Sequence, residues 1–476
     1  MSASDGDSSS ADESMVSPGS ADESMVSPGC EASAGDSGSE TDASDSDTDE
    51  SMPSLCDASS KSDSGSEAGD GAITSTSWQT ALRECSRSLR PGLLRVLLPC
   101  AGWDAPCQAL QHMKIPFVVA GAWEIDENCG MILKKVHGIK PHEKLPSQFH
   151  LGRAGDVTKV KVRSLPDADL LVAGPPCPPF SSIGKGGLFS DPRSDVFMAI
   201  LRWIRHLAGK SLRCFVLENV MGMLRRSKDG GQSPADRVMQ KLRSTLGDWH
   251  IECRRMDSAC TGQHRNRIYI VGVRCTIPAS SVLLPAPRLP QQTLADIVYR
   301  NVPNTPLSEL SAGQRSNLKK YMLALAGEAK GMKGRIVALE IDRNPDKKWG
   351  ARVARNGLCM CLRSGHDRIF LLSLGEASPR VRRLLTPAEG ALLQGMRPDI
   401  FPKAFLRRHA FRGLGNAMTV PVVGQAVWIG LMGAQGTYAG SDDLGESSDS
   451  ATSSSAERSV PHSEDEGSSE DASSSS

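Results

Sequence analysis

Short apolar runs recur through the middle of the chain, two of them followed directly by a turn rich in glycine or proline. Gly92–Leu98 (GLLRVLL) runs into Pro99-Cys100-Ala101-Gly102-Trp103-Asp104-Ala105-Pro106, and a helix to about Met113 follows. Phe117–Ala122, Ala168–Ala173, Leu212–Val216 and Ile268–Val273 are runs of the same kind. Apolar runs of this length, bounded by turn signals, predict buried strands. Val196–Leu207 is apolar at 196, 197, 200, 201, 204 and 207, the spacing of an amphipathic helix. Strand, turn, helix and strand in succession predict an α/β fold on an open sheet.

The two ends of the chain lack this pattern. Residues 1–75 hold 18 Asp and Glu against one Lys, a net of −17. Residues 440–476 hold ten against one Arg, a net of −9. The formal charge of zero therefore conceals a body, 76–439, of net +26. Segments so poor in apolar residues cannot bury enough surface to offset the entropy of ordering, so both acidic tails are expected to be disordered. The first contains a ten-residue duplication, Ser10–Gly19 and Ser20–Gly29, too short and polar for a solenoid. Shielding of the basic body from nonspecific nucleic acid and plain solubility are both open readings of the tails. After residue 275, Pro278, Pro285, Pro287 and Pro290 mark a linker. The basic residues Arg315, Lys319, Lys320, Lys330, Lys333, Arg335, Arg343, Lys347, Lys348, Arg352 and Arg355 follow it, and such charges neutralise phosphates.

The thirteen cysteines include no CxxC pair, and Cys359-x-Cys361 is poor zinc spacing. Reduced thiols and no structural metal are expected. With no apolar run of membrane-spanning length and no signal peptide, the chain is expected to be intracellular, without a membrane partner. Short basic clusters such as Lys319-Lys320 are too common to establish nuclear import, although the nucleus is the compartment expected.

Candidate chemistry gathers after the apolar runs. The run ending at Ala173 delivers Cys177 within Gly174-Pro175-Pro176-Cys177-Pro178-Pro179-Phe180-Ser181, a turn stiffened by four prolines. A cysteine there is either a nucleophile or a small core residue. Gly102 lies in a strand–turn–helix element of the kind that offers backbone N–H groups to a cofactor. Glu124 follows it by 22 residues, at the place where a carboxylate grips a ribose diol or simply favours the next helix. Glu218, at the end of another strand, is a carboxylate that needs a partner if buried. Arg265 and Arg267 alternate on an extended segment and so can converge on one site.

These stretches, in this order from Arg95 to about Gln425, resemble the cytosine-C5 DNA methyltransferases. The Cys177 loop resembles the catalytic loop, with Pro178 where the family usually has Gln. Cys100 stands where the cofactor turn usually has an aromatic residue, and Asp104 and Ala105 replace two of its glycines. Trp123–Asn128, Gly155-Asp156-Val157-Thr158, Asp191-x-Arg193, Glu218-Asn219-Val220 and Gln263-x-Arg265-x-Arg267 match further motifs. So do Arg383–Met396 and Gly413–Val422.

The resemblance implies a Rossmann-like S-adenosylmethionine-dependent methyltransferase fold. The catalytic domain would span 92–275 and 380–435, a small target-recognition domain 276–379, and the acidic tails 1–75 and 440–476. It implies methylation of C5 of cytosine, flipped from duplex DNA, through a covalent adduct of Cys177 to C6. Glu218 would hold N3 and the exocyclic amine, and Arg265 and Arg267 the base's O2 and its phosphates. For the cofactor, Gly102 lies in the binding turn, Glu124 holds the ribose, Ile125 stacks on adenine, and Asp156 meets its amino group. Asn416 approaches the methionine end. No metal is required, and protein partners are unknown. An RNA-directed relative such as a tRNA cytosine-C5 methyltransferase, and a catalytically weak nucleic-acid-binding homologue, are the alternatives.

Overall fold

The structure is a computed structural model. It describes residues 77–176, 194–226, 231–274, 283–326, 335–347, 352–354, 356–365, 367–374, 380–402 and 405–435. Both expected tails fall outside these residues, as do Cys177, Pro178, Asp191 and Arg193.

A seven-stranded sheet forms the body. Its strands are β1 (Leu94–Pro99), β2 (Phe117–Glu124), β3 (Phe149–Leu151), β4 (Leu170–Ala173), β5 (Cys214–Val220), β6 (Trp249–Met256) and β7 (Arg267–Arg274). They lie in the order β3-β2-β1-β4-β5-β7-β6. Neighbours from β3 through β5 are parallel, and β7 runs antiparallel to both β5 and β6. The chain moves outward from β1 to β3 and then returns to β4 on the other side of β1. That reversal opens a crevice beyond the carboxyl ends of β1 and β4, where sheets of this class place their sites.

The unbroken apolar runs are explained by two cores. In β1, Leu94, Val96 and Leu98 enter one core while Leu97 enters the other. The same division separates Leu170 and Val172 from Leu171 and Ala173, and Tyr269, Val271 and Val273 from Ile268 and Ile270. On the first face lie α1 (Ser77–Cys85), α2 (Ala105–Met113) and α10 (Val420–Gln435). On the second lie α4 (Ser194–Ala208) and α5 (Pro234–Thr245). Helix α5 starts where Ser233 and Asp236 cap each other, each side chain accepting from the other's backbone N–H at 3.1 Å, with Pro234 in the first turn. The stretch Arg407–Gln435 contains a segment apolar and long enough to cross a membrane, but 78% of that segment is buried, as befits a core helix.

A second sheet joins β8 (Ile336–Glu340), β9 (Val353–Ala354), β10 (Ile369–Ser373) and β11 (Arg382–Leu384) in the antiparallel order β11-β10-β8-β9. Helix α7 (Ala312–Ala326) covers one face through Leu318, Tyr321 and Leu325. The other face carries Ile336, Ala338, Ile369 and Leu371 into the first core of the main body. β11 carries this sheet past residue 379, where the catalytic segment was expected to resume. The reason is a buried pair. Arg383 on β11 meets Glu389 on α8 (Pro387–Leu393), with Nη1 to Oε2 at 2.9 Å, so the last strand and the returning helix are one unit.

Candidate active site

A cavity of about 350 Å³ occupies the crevice beyond β1 and β4. Gly102, Glu124, Ile125, Asp156, Glu218, Arg265, Arg267 and Asn416 all line it. Gly174, Pro175 and Pro176 form the wall from which the chain continues to Cys177.

One end is built from the turns after β1 and β2. Glu124, the last residue of β2, accepts from Gly102 N–H at 2.8 Å and from Asp126 N–H at 2.9 Å. Burial pushes its carboxyl above the usual range, partly offset by those two N–H groups. Ile125, beside it, is 67% exposed at the cavity rim, a large apolar surface with no protein cover. Asp156 turns back on its own loop, Oδ1 accepting from Thr158 N at 2.9 Å and Oγ1 at 2.6 Å. Across the cavity runs α9 (Arg407–Asn416). It can lie against the cofactor turn only because Gly413 has no side chain: a Cβ there would sit 1.8 Å from the Trp103 ring. Gly415 allows a similar approach, since its Cβ would lie 2.0 Å from Ser364 N.

At the other end, Glu218 lies near the carboxyl end of β5, paired with Tyr269 of β7. Its protein partner is Arg267, with Nε 3.1 Å from Oε1. Burial raises the Glu218 carboxyl above its ordinary range, opposed by Arg267 and Arg265. Asn219, the next residue, donates from Nδ2 to Pro175 O at 3.3 Å and so ties β5 to the strand end that leads to Cys177.

Arg265 and Arg267 converge on the cavity as their spacing predicted, but their guanidinium groups differ in what they hold. Arg265 is 2% exposed and donates to Leu362 O (2.8 Å), Gly415 O (3.0 Å) and Ala417 O (2.7 Å). Its two terminal nitrogens thus donate to protein carbonyls while the residue lines the cavity. Gln263 works alongside it, donating to Leu393 O at 2.9 Å and accepting from Leu362 N at 2.8 Å. Arg267 instead pairs with Glu218 through Nε and donates from Nη1 to Asn266 O at 2.8 Å.

Sequence reasoning missed several cavity residues. Phe405, His409 and Arg412 come from the start of α9 and the segment before it, outside the matched motif. Cys361, which is not among the lining residues, has its Sγ 3.4 Å from Arg265 Nη1 and 3.8 Å from Arg267 Nη2. Burial raises that thiol, but the two arginines outweigh it and the net shift is downward. Of the basic residues expected to meet phosphates, Arg343 and Arg352 are paired with buried Glu340, and Lys320 with Asp346. Arg315, Lys319, Arg335 and Lys347 are exposed.

A sequence model of the family described as C-5 cytosine-specific DNA methylase matches residues 100–427. The orphan methyltransferase M.SPRI of Bacillus phage SPR is 31% identical over 185 residues, covering 38% of this chain and 38% of that protein. The type II methyltransferase M.SsoII of Shigella sonnei is 28% identical over 272 residues, 56% of this chain and 65% of that one. The chain thus spans less than two thirds of the length of either relative. Among solved structures, S. pombe Dnmt2 methyltransferase aligns over 72% of this chain and 99% of its own, with 17% identity and a TM-score of 0.47.

Proposed function

Because the chain belongs to the C-5 cytosine-specific DNA methylase family, we propose that it methylates C5 of cytosine in DNA. The observation that carries this reading is a single cavity with two chemically distinct ends: Glu124 and Ile125 at one, Glu218 with Arg267 at the other.

S-adenosylmethionine, the methyl donor of this family, supplies an electrophilic methyl group when bound. The first end suits it. Glu124 is a half-buried carboxylate that can accept from ribose hydroxyls, Ile125 offers an exposed apolar face to adenine, and Asp156 can accept from its amino group. Gly102 provides the close backbone, and Asn416 faces the cavity from α9.

The second end suits cytosine. Its N3 accepts and its exocyclic amine donates, so the ring needs a partner that does both. A carboxyl raised by burial is such a partner: protonated on one oxygen it donates to N3, and the other oxygen accepts from the amine. Arg267 fixes its orientation. Cys177 would add as thiolate to C6, forming the S–C6 bond, while Glu218 stabilises the electron pair displaced onto the ring. Loss of the C5 proton to a base would later expel the thiolate. The base must leave the duplex to reach this depth. Exposed Arg315, Lys319, Arg335 and Lys347 would meet phosphates, and the body's net charge of +26 suits a polyanion. Residues 276–379 would contain the recognition elements, and the nucleus is the compartment this substrate implies.

The test is transfer of tritium from methyl-labelled S-adenosylmethionine to duplex DNA, followed by digestion to nucleosides. Label in 5-methyldeoxycytidine supports the reading. Label appearing only when tRNA replaces DNA would move the substrate to RNA, and none on either would remove the activity.

A further inference from the structure

We propose that Asp104, Cys107 and His137 form a zinc-type divalent-cation site that fastens the turn after β1 to α3 (Cys129–Val136). This inference is independent of the methylation chemistry.

Three different donors meet behind the cofactor turn: a carboxylate oxygen, a thiol sulfur and an imidazole nitrogen, all within 4.8 Å of one another. They come from separate pieces of backbone. Asp104 is the N-cap of α2, Cys107 is the third residue of the same helix, and His137 is the C-cap of α3. N-cap and third residue lie on one side of a helix start, so their side chains meet by construction. His137 then crosses to them, its Nε2 2.5 Å from Asp104 Oδ2. Asp104 and Cys107 are fully buried, while the His137 side chain is 14% exposed.

The donor set selects the ion. Calcium and magnesium take oxygen ligands, whereas a sulfur, a nitrogen and a carboxylate oxygen suit zinc and its neighbours. Burial and the neighbouring Asp104 carboxylate hold the proton on the Cys107 thiol, so binding would release that proton to solvent, and the resulting thiolate and the carboxylate would together balance a doubly charged cation. Three protein ligands leave one tetrahedral position for water. His137 also lines a second cavity of about 610 Å³ beside Val118 and Phe149, the side from which an ion would approach.

The three side chains already meet, and the direct His137–Asp104 contact would open to admit the ion between them. Cys107 N donates to Asp104 Oδ1 at 3.2 Å, and the His137 ring packs edge-on against Phe149, centroids 5.0 Å apart. Second contacts of this kind are what hold metal ligands in place. Asp104 adopts φ 52°, a left-handed conformation that costs a residue with a side chain roughly 1–2 kcal/mol. Glycine would avoid that cost. The carboxylate is what the position gains in exchange, and it stands two residues from Gly102, whose N–H is held by Glu124. A cation at this point would stiffen the turn that lines the larger cavity. The ligands span 33 residues and two helices, a separation that no CxxC-type spacing shows.

The full-length chain, treated with a chelator and dialysed, is titrated with Co²⁺ and then Zn²⁺. The account predicts one Co²⁺ per chain with sulfur-to-cobalt charge-transfer absorption and tetrahedral visible bands, all displaced by Zn²⁺. Cys107→Ser should abolish the charge-transfer band. His137→Gln, at a partly exposed position, should leave the far-ultraviolet circular dichroism intact and weaken Co²⁺ binding at least about tenfold. Cys253→Ser, remote from the cluster, serves as control and should change nothing. Absence of the band in the parent chain overturns the proposal. So does a band that survives in both Cys107→Ser and His137→Gln.

Discussion

The two ends of the central sheet treat carboxylates in opposite ways. At the amino ends, Asp169 stands just before β4 and accepts from Arg95 N at 2.9 Å, Arg95 Nε at 3.0 Å and Arg95 Nη2 at 3.2 Å. Arg213, just before β5, lies 3.4 Å away. Burial would raise this carboxyl, but the arginine hydrogen bonds outweigh it and the net shift is downward. At the carboxyl ends, Glu124 and Glu218 are both shifted upward, because burial outweighs what their partners return. One end spends its charges on joining three strands. The other keeps carboxylates under-compensated, which is destabilising by itself and useful only if a ligand completes the set. Stability and chemistry are thus separated by the length of a strand.

The sharpest way to break this contrast is Glu218→Gln. Loss of a group that acts on developing charge should lower kcat/KM by about 10²–10³-fold, with Tm nearly unchanged, in a methyl-transfer assay paired with thermal melts. A fall of less than tenfold would place Glu218 with the structural carboxylates.

Arg265→Ala should behave in the opposite sense to Arg267→Ala. Removing Arg265 leaves the carbonyls of Leu362, Gly415 and Ala417 without their donor. At about 1 kcal/mol or more for each unmet acceptor, the fold should lose about 3 kcal/mol, read by urea denaturation. Arg267→Ala should lose activity with a much smaller change in midpoint. Equal midpoints for the two variants would dissolve the distinction.

Glu124→Gln should weaken S-adenosylmethionine binding about tenfold, the worth of a charge-assisted hydrogen bond, as measured by calorimetry. It should leave DNA affinity unchanged.

The smallest effect belongs to the other end. Asp169→Asn should lower Tm by about 2–4 °C near neutrality, what a loss of about 1 kcal/mol gives in a domain of this size. The depressed carboxyl contributes stability that is fully present above its unfolded value of about 3.9 and is lost as pH falls through its lower folded value. The gap between parent and variant should therefore close in acid. A gap constant down to strongly acidic pH would show that the ionised carboxylate is not its source.

Much of this was legible in the chain because β1, β4, β5 and β7 are covered on both faces, so burial writes itself as unbroken apolar runs. β6 escaped notice because it is an edge strand, and its Glu252, Arg254 and Arg255 interrupt the pattern. The second sheet was hidden by its basic surroundings, although Ile336–Glu340 and Ile369–Ser373 are themselves apolar runs. Motif spacing brought Glu218, Arg265 and Arg267 to one cavity. It could not reveal that Arg265 would donate to the carbonyls of Leu362, Gly415 and Ala417, since those acceptors come from segments 97 to 152 residues away. The link between Asp104 and His137 was invisible for the same reason.

The central claim is that this cavity performs covalent chemistry on cytosine through Cys177 with Glu218 as its partner. Incubation with S-adenosylmethionine and duplex DNA carrying 5-fluorocytosine tests it directly, because fluorine at C5 cannot be removed as a proton and the adduct is trapped. The account predicts a protein–DNA complex that survives denaturation, is absent in Cys177→Ala and is strongly reduced in Glu218→Gln. An adduct that persists in Cys177→Ala, or none from a folded chain shown to bind S-adenosylmethionine, would contradict it.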